Sequence, residues 1–368
     1  MPRLLLSLLL GAWLGGAAAQ GGPIVVHHIG PLTGVLAASN AEALEGARLQ
    51  LELYNARGGV QGRRVLMESI DDAQDPKRSA EIFDRLQAEG RLIAVMMPRT
   101  TPSTEVLLPK VAQHGVPMIG PQAGGSFINQ PPRREVFTLR ASYQKEAEVA
   151  IRQQHGIGVR SFGVLLASDA FGKDVLAGIE RTMAELQIKP VAVPRFDNRN
   201  PDVLPAVREM LQHRPQVVML IASSKASADF IKAYRAAGAN ATFISLSNTS
   251  NNDYIKALGD QARGAIVMQV MPSPFSGGTP LARDYAAAAA KARQPISYAG
   301  FYGFASARLL TQALSRAREP SREGLLQALE GLGEVDLGGF RLRYGPGERI
   351  GSTYVDPTII TFEGRFMR

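Results

Sequence analysis

"LIAVMMPRTTPSTEVLLPKVAQHGVPMIGPQAGG", residues 92–125, holds the pattern on which the fold turns. An apolar run stops at Pro98, and a knot of hydroxyls follows at Thr100, Thr101, Ser103 and Thr104. Helical spacing then predicts a helix over Thr104–His114, and a second apolar run, Val116–Ile119, breaks at Gly120. Strand, helix, strand is a βαβ unit, and each strand ends in small polar residues where a helix can begin.

The same alternation extends in both directions. Upstream, "PIVVHHIG" (23–30) reads as a buried strand and Ala41–Arg57 as a helix stopped by Gly58-Gly59. "RRVLMESID" reads as the next strand, and Pro76 opens a helix that ends at Gly90. Downstream, a second series starts near Ser142. Helices are expected over 142–155, 173–187, 202–213, 227–237 and 252–258. Strands are expected over 161–168, "KPVAVPRF", 216–223, 242–247 and "GAIVMQVM". Strands separated by helices of this length predict parallel sheets covered on both faces. The fold class is therefore α/β, with two Rossmann-like doubly wound lobes. Three helices in succession come next, the last with Ser321 as N-cap, and the chain closes on short strands joined by Gly-rich turns.

Composition bounds the function. The start, "MPRLLLSLLLGAWLGGAAAQ", has Arg3, an apolar run over Leu4–Leu14 and small residues at Ala17-Ala18-Ala19. That is the layout of a cleavable signal peptide, 1–19, directing the chain to export. Its apolar run is shorter than the roughly 20 residues of a membrane span. The 368 residues include no Cys, which excludes disulfides and a lipid-bearing cysteine. The formal charge of +8 is scattered, unlike the clustered stripe of a nucleic-acid binder, and leaves a mild pull on anions. An enzyme is not expected. There is no G-x-S-x-G elbow, and His27-His28 lies inside a strand, where a histidine is more often satisfied core than catalyst. Asp71, Asp72 and Asp75 lack the Gly and bidentate Glu of a calcium loop, and capping by Asp75 before Pro76 accounts for them better. No metal or cofactor is expected.

Ligands of parallel α/β sheets sit outside the carboxyl ends of the strands, where helix N-termini offer free N–H groups and partial positive charge. Thr100–Thr104 and Gly120–Gly125 fit a carboxylate-binding lip, against the plainer reading of N-capping by Ser103 or Thr104. "GPLTGVLAASN", "ASDAFGKD", "IASSKASAD" and "SLSNTSNND" end other strands in the same way, so a cleft between the lobes is expected. Phe171 and Tyr302 are candidate apolar walls.

Several blocks resemble one family. "GPLTG" (30–34), "EGARLQLELYNARGGVQGRRV" (45–65), "DDAQDPKRS" (71–79), "GVPMIGPQAG" (115–124), "SDAFGKD" (168–174) and "AYRAAG" (233–238) are similar, in order and spacing, to type I periplasmic binding proteins of the leucine/isoleucine/valine class. The resemblance covers essentially the whole chain after the leader. It implies two lobes joined by three hinge crossovers, 20–141 plus 272–345 and 142–271 plus 346–368, closing on a small ligand. It also implies a monomer that delivers an amino acid or related carboxylate to the permease of an ABC importer; a ligand-sensing receptor of the same fold is the alternative. Carried over residue by residue, ligand contacts fall on Thr101 with its neighbours Arg99 and Thr100, on Gln122, Ala123 and Gly124, and on Phe171, Ser223 and Asn248. The chain also departs from the family. Gly124 stands where amino-acid binders have Ser or Thr, Phe171 where they have Tyr, and Ser223 where they have an aromatic. Neutral Asn248 stands where they place the acidic partner of the ligand ammonium, while Arg99 adds a cation. Gln74 and Thr100 stand where some members have a cysteine pair. These departures favour an anionic or non-amino ligand.

Overall fold

The computed structural model describes residues 21–368; the expected leader lies outside them. The first sheet is parallel and five-stranded: β1 (Ile24–Gly30), β2 (Val65–Asp71), β3 (Val95–Met96), β4 (Met118–Ile119) and β5 (Val136–Phe137), in the order β2-β1-β3-β4-β5. Helices α1 (Ala37–Asn55), α2 (Pro76–Ala88) and α3 (Thr101–His114) connect its strands. After α4 (Tyr143–Gly156) come β6 (Phe162–Ala167), α5 (Ala170–Glu185), β7 (Arg195–Phe196), α6 (Leu204–His213), β8 (Val217–Ile221), α7 (Ser224–Ala236), β9 (Thr242–Ser245), α8 (Asn252–Leu258) and β10 (Ile266–Gln269). Then follow α9 (Pro280–Lys291), α10 (Tyr298–Arg316), α11 (Arg322–Glu330), a hairpin of β11 (Glu334–Asp336) and β12 (Arg341–Arg343), and finally β13 (Asp356–Ile360) and β14 (Phe366–Met367). The second sheet runs β14-β13-β10-β9-β8-β6-β7, parallel apart from the antiparallel β13 and β14.

Every residue of β6 and β8 is buried, as strands covered on both faces must be. The chain passes into or out of the second sheet's layer three times: from β5 into α4, which packs on α5; from β10 into α9, which packs on α1; and from the separate β11–β12 hairpin to β13. The apolar helix α10 lies along α1, where small residues let the backbones touch. A Cβ on Gly303 would come within 1.8 Å of the Ala43 carbonyl oxygen, and one on Gly46 equally close to that of Gly300.

The differences from expectation have local causes. The strand expected over 92–97 shortens to β3, and at its end Met97 takes a φ of 51° and turns the chain out of the sheet. "KPVAVPRF" keeps only β7, since Pro190 and Pro194 have no N–H for a ladder. Strand β5 lies in "EVFT", whose basic flanks hid it. Asp75 caps α2, accepting the Lys77 N–H at 3.0 Å, and Ser321 caps α11. His28 is satisfied core: its Nδ1 lies 3.0 Å from the Met96 carbonyl, to which it donates, and its Nε2 accepts from the Asn40 amide at 3.0 Å.

Candidate functional site

A cavity of about 390 Å³ opens between the two sheets, at the carboxyl ends of their strands. The N-cap residues of three helices wall it. Thr100 caps α3, accepting the Ser103 N–H at 3.1 Å. Asp169 caps α5, accepting from Gly172 at 3.2 Å. Ser223 caps α7 and donates its own N–H to the Asn198 side chain at 3.1 Å. Three partial positive ends therefore meet at one space, the field that a carboxylate requires.

Two of the four hydroxyls in the opening stretch face elsewhere. Ser103 donates to Asp72 at 2.9 Å and Thr104 to the Thr100 carbonyl at 2.7 Å, while Thr100 and Thr101 line the cavity. The cap of α3 is Thr100, and neither Ser103 nor Thr104, which the plainer reading offered. The aspartates hold the neighbouring turn. Asp71 accepts from Leu32, Thr33 and Ala73, and Asp72 from Gln74, Ser79 and Ser103. Gln74, held there at a φ of 61°, joins the wall.

Arg99 is 93% buried and spans the cleft. Its Nη2 donates to the Asn248 carbonyl at 3.0 Å and stands 3.4 Å from Ser39, while its Nε is buried without a partner. Burial pushes the guanidinium pKa below its ordinary value, a pull that Tyr143 opposes. Asn248 donates its amide to the Ala222 carbonyl at 2.8 Å, which leaves its Oδ1 buried and unpaired. Phe171 lines the cavity edge-on to Tyr143, ring centroids 4.9 Å apart.

Of the residues expected at the site, Arg99, Thr100, Thr101, Phe171, Ser223 and Asn248 share this cavity. Gln122 lines an adjoining space of about 40 Å³, its amide donating to Asn40 at 2.9 Å. Ala123 and Gly124 line neither: Ala123 packs in the apolar core, and Gly124 lies beneath Arg140. A Cβ on Gly124 would stand 2.6 Å from Arg140 Nη2, so the guanidinium fills the space a side chain there would take. Arg140 lies 4.3 Å from the Tyr143 ring centroid and donates to the Gln122 carbonyl at 2.6 Å, to Ser247 Oγ at 2.8 Å and to the buried Glu146. Tyr302, one of the expected walls, donates to the Pro121 carbonyl at 2.9 Å and lines the smaller space.

Sequence reasoning missed Tyr143, Asn198 and two carboxylates of the wall, Asp169 and Asp197. Asp169 lay in the quoted "SDAFGKD", where an acid just before a helix is a recognisable cap. Burial pushes its carboxyl pKa up, against the Gly172 N–H that favours the charged form. Asn248 is neutral, but the wall does hold an acid, which caps a helix.

The sequence matches the profile of the family described as periplasmic binding protein over residues 23–353. The chain belongs to the periplasmic binding protein family. It is 23% identical over 319 residues to a Leu/Ile/Val-binding protein homolog 3 of Brucella melitensis, covering 86% of this chain and 85% of that one. A leucine-, isoleucine-, valine-, threonine- and alanine-binding protein of Pseudomonas aeruginosa is 21% identical over 83% of this chain and 82% of its own. A substrate-binding periplasmic protein from Ralstonia solanacearum superposes with a TM-score of 0.88 at 28% identity, covering 94% of this chain and 99% of that one. The fold is that of the type I members, and family membership implies a periplasmic solute-binding protein, not an enzyme.

Proposed function

We propose that the protein is the substrate-binding component of an ABC importer. It takes up a small carboxylate, an amino acid or a relative of one, between its lobes and hands it to an inner-membrane permease. The lobes are 20–141 with 272–345 and 142–271 with 346–368, the working unit is a monomer, and residues 1–19 are the export signal. The observation that carries this reading is the cavity at which α3, from one sheet, meets α5 and α7, from the other, with Arg99 between them. A ligand touching both walls favours the closed arrangement over the open one by its differential contacts. The relatives named for branched-chain amino acids are consistent with this ligand class.

Native mass spectrometry of the purified mature protein, before and after denaturation, tests the reading directly. A small carboxylate released in stoichiometric amount is the expected result. A preparation that carries nothing, and whose melting temperature no carboxylate raises, overturns it.

A further inference from the structure

The deeply buried charges around the cleft are already committed, with one exception. Arg140 has Glu146. Asp169 caps α5, and its other oxygen stands 3.5 Å from the Asn198 amide. Asp197 is exposed and accepts the Arg199 N–H at 2.9 Å. Glu42, on α1, accepts the N–H groups of Asn252 and Asp253, each at 3.1 Å. Among the described residues Arg99 alone is a deeply buried cation of the cavity wall with no carboxylate bonded to it. Leaving such a charge unpaired is costly, so a ligand that brings a negative charge is favoured by the protein's own imbalance.

The second unpaired group sharpens this. The Ala222 carbonyl can only accept, so it fixes the Asn248 amide with Nδ2 towards it and Oδ1 left over. That leftover atom is a neutral acceptor. It suits a hydroxyl hydrogen, whereas an ammonium there would meet only that neutral oxygen and would share the cavity with Arg99, the wall's carboxylates being held at the α5 cap (Asp169) or exposed (Asp197).

Resting on the binding role proposed above, we infer that the site selects carboxylates without an ammonium group, best with a hydroxyl beside the carboxylate, and that Arg99 is the residue that sets this preference. Thr101 and the start of α3 receive the carboxylate with Arg99, Asn248 receives the hydroxyl, and Phe171 with Tyr143 bounds the apolar remainder.

Matched ligands test the inference, using calorimetry on protein stripped by unfolding and refolding. Leucine is compared with 2-hydroxy-4-methylpentanoate and 4-methylpentanoate, and phenylalanine with 3-phenyllactate and 3-phenylpropanoate. In at least one series the hydroxy acid binds about tenfold tighter than the amino acid, and Arg99→Gln weakens it roughly thirtyfold, as loss of a charged hydrogen-bond partner does. Arg99→Lys recovers part of that loss. If the amino acid is the tighter ligand in both series, or Arg99→Gln leaves affinity unchanged, the inference fails while the carboxylate-binding role stands. If none of these compounds binds, the inference fails, and the molecule released on denaturation decides whether the broader role fails too. Should Arg99→Gln not refold, the ranking of ligands on the unaltered protein remains decisive.

Discussion

Replacing Glu146 by Gln tests whether the joint between the lobes depends on an ionised pair. The carboxylate is fully buried and accepts from Arg140, from the Ser247 N–H at 2.7 Å and from Ser247 Oγ at 2.9 Å. Gln has the same shape but must put an NH2 where one oxygen was. Placed at Oε2 it faces the Ser247 N–H; placed at Oε1 it faces the guanidinium. Either way a donor meets a donor and Arg140 loses its countercharge. Breaking a buried pair from one side costs about 3–5 kcal/mol. With a urea slope near 3 kcal/mol/M, the denaturation midpoint falls by roughly 1–1.7 M. The assay is urea unfolding followed by far-UV circular dichroism without ligand, on the wild type, Glu146→Gln, Arg140→Met and the double variant. The double loss is expected to fall short of the summed single losses by about 2 kcal/mol, since the partners interact directly. A midpoint for Glu146→Gln indistinguishable from wild type refutes the reasoning. It would mean that burial, which pushes the Glu146 carboxyl pKa up, has already protonated the acid in the folded chain.

Other outcomes follow from single residues. Thr101→Ala weakens carboxylate binding by about 1–3 kcal/mol, read by calorimetry, because it removes a hydroxyl from the start of α3; unchanged affinity would move the site away from that helix. Gly303→Ala, forced against the Ala43 carbonyl, lowers stability by about 1–3 kcal/mol, seen as a depressed urea midpoint. Burial lowers the His28 pKa from 6.5 to about 4, so its neutral form stabilises the fold fully above pH 6.5 and progressively less as pH falls towards 4. At 1.36 kcal/mol per pH unit the difference is about 3 kcal/mol, and His28→Gln flattens that part of a stability-against-pH profile.

Most of the architecture was legible because the helix and strand periods alternate cleanly, and α2, α4 and α7 start within about three residues of where the spacing put them. What escaped was short or interrupted. Strand β5 has two residues, and the turn at Met97 depends on a backbone conformation that no residue type there announces. The hydroxyl knot pointed to the right end of the right strand, but not to which hydroxyls turn inward. Ser103 and Thr101 lie two positions apart, and the rotation of α3 alone sends one to Asp72 and the other to the cavity. Arg140 covering Gly124 was beyond reach, since a contact between positions sixteen residues apart in the chain is set by the packing of the crossover and not by any local pattern.

The way the second sheet is completed bears on how the chain must assemble. Strand β10, at residues 266–269, finds its outer neighbour only in β13, at 356–360, after α9, α10, α11 and a hairpin have been laid down on the other side. Closing so long a loop delays the pairing, and a nascent chain shorn of its last residues would carry an unpaired edge at β10. Trimming β14 alone removes only an outermost two-stranded contact, whereas cutting before β13 leaves β10 as an open edge of the sheet that β6 to β10 have already formed. A tail fused after residue 368 therefore extends from an edge of the second sheet and not from a loose end.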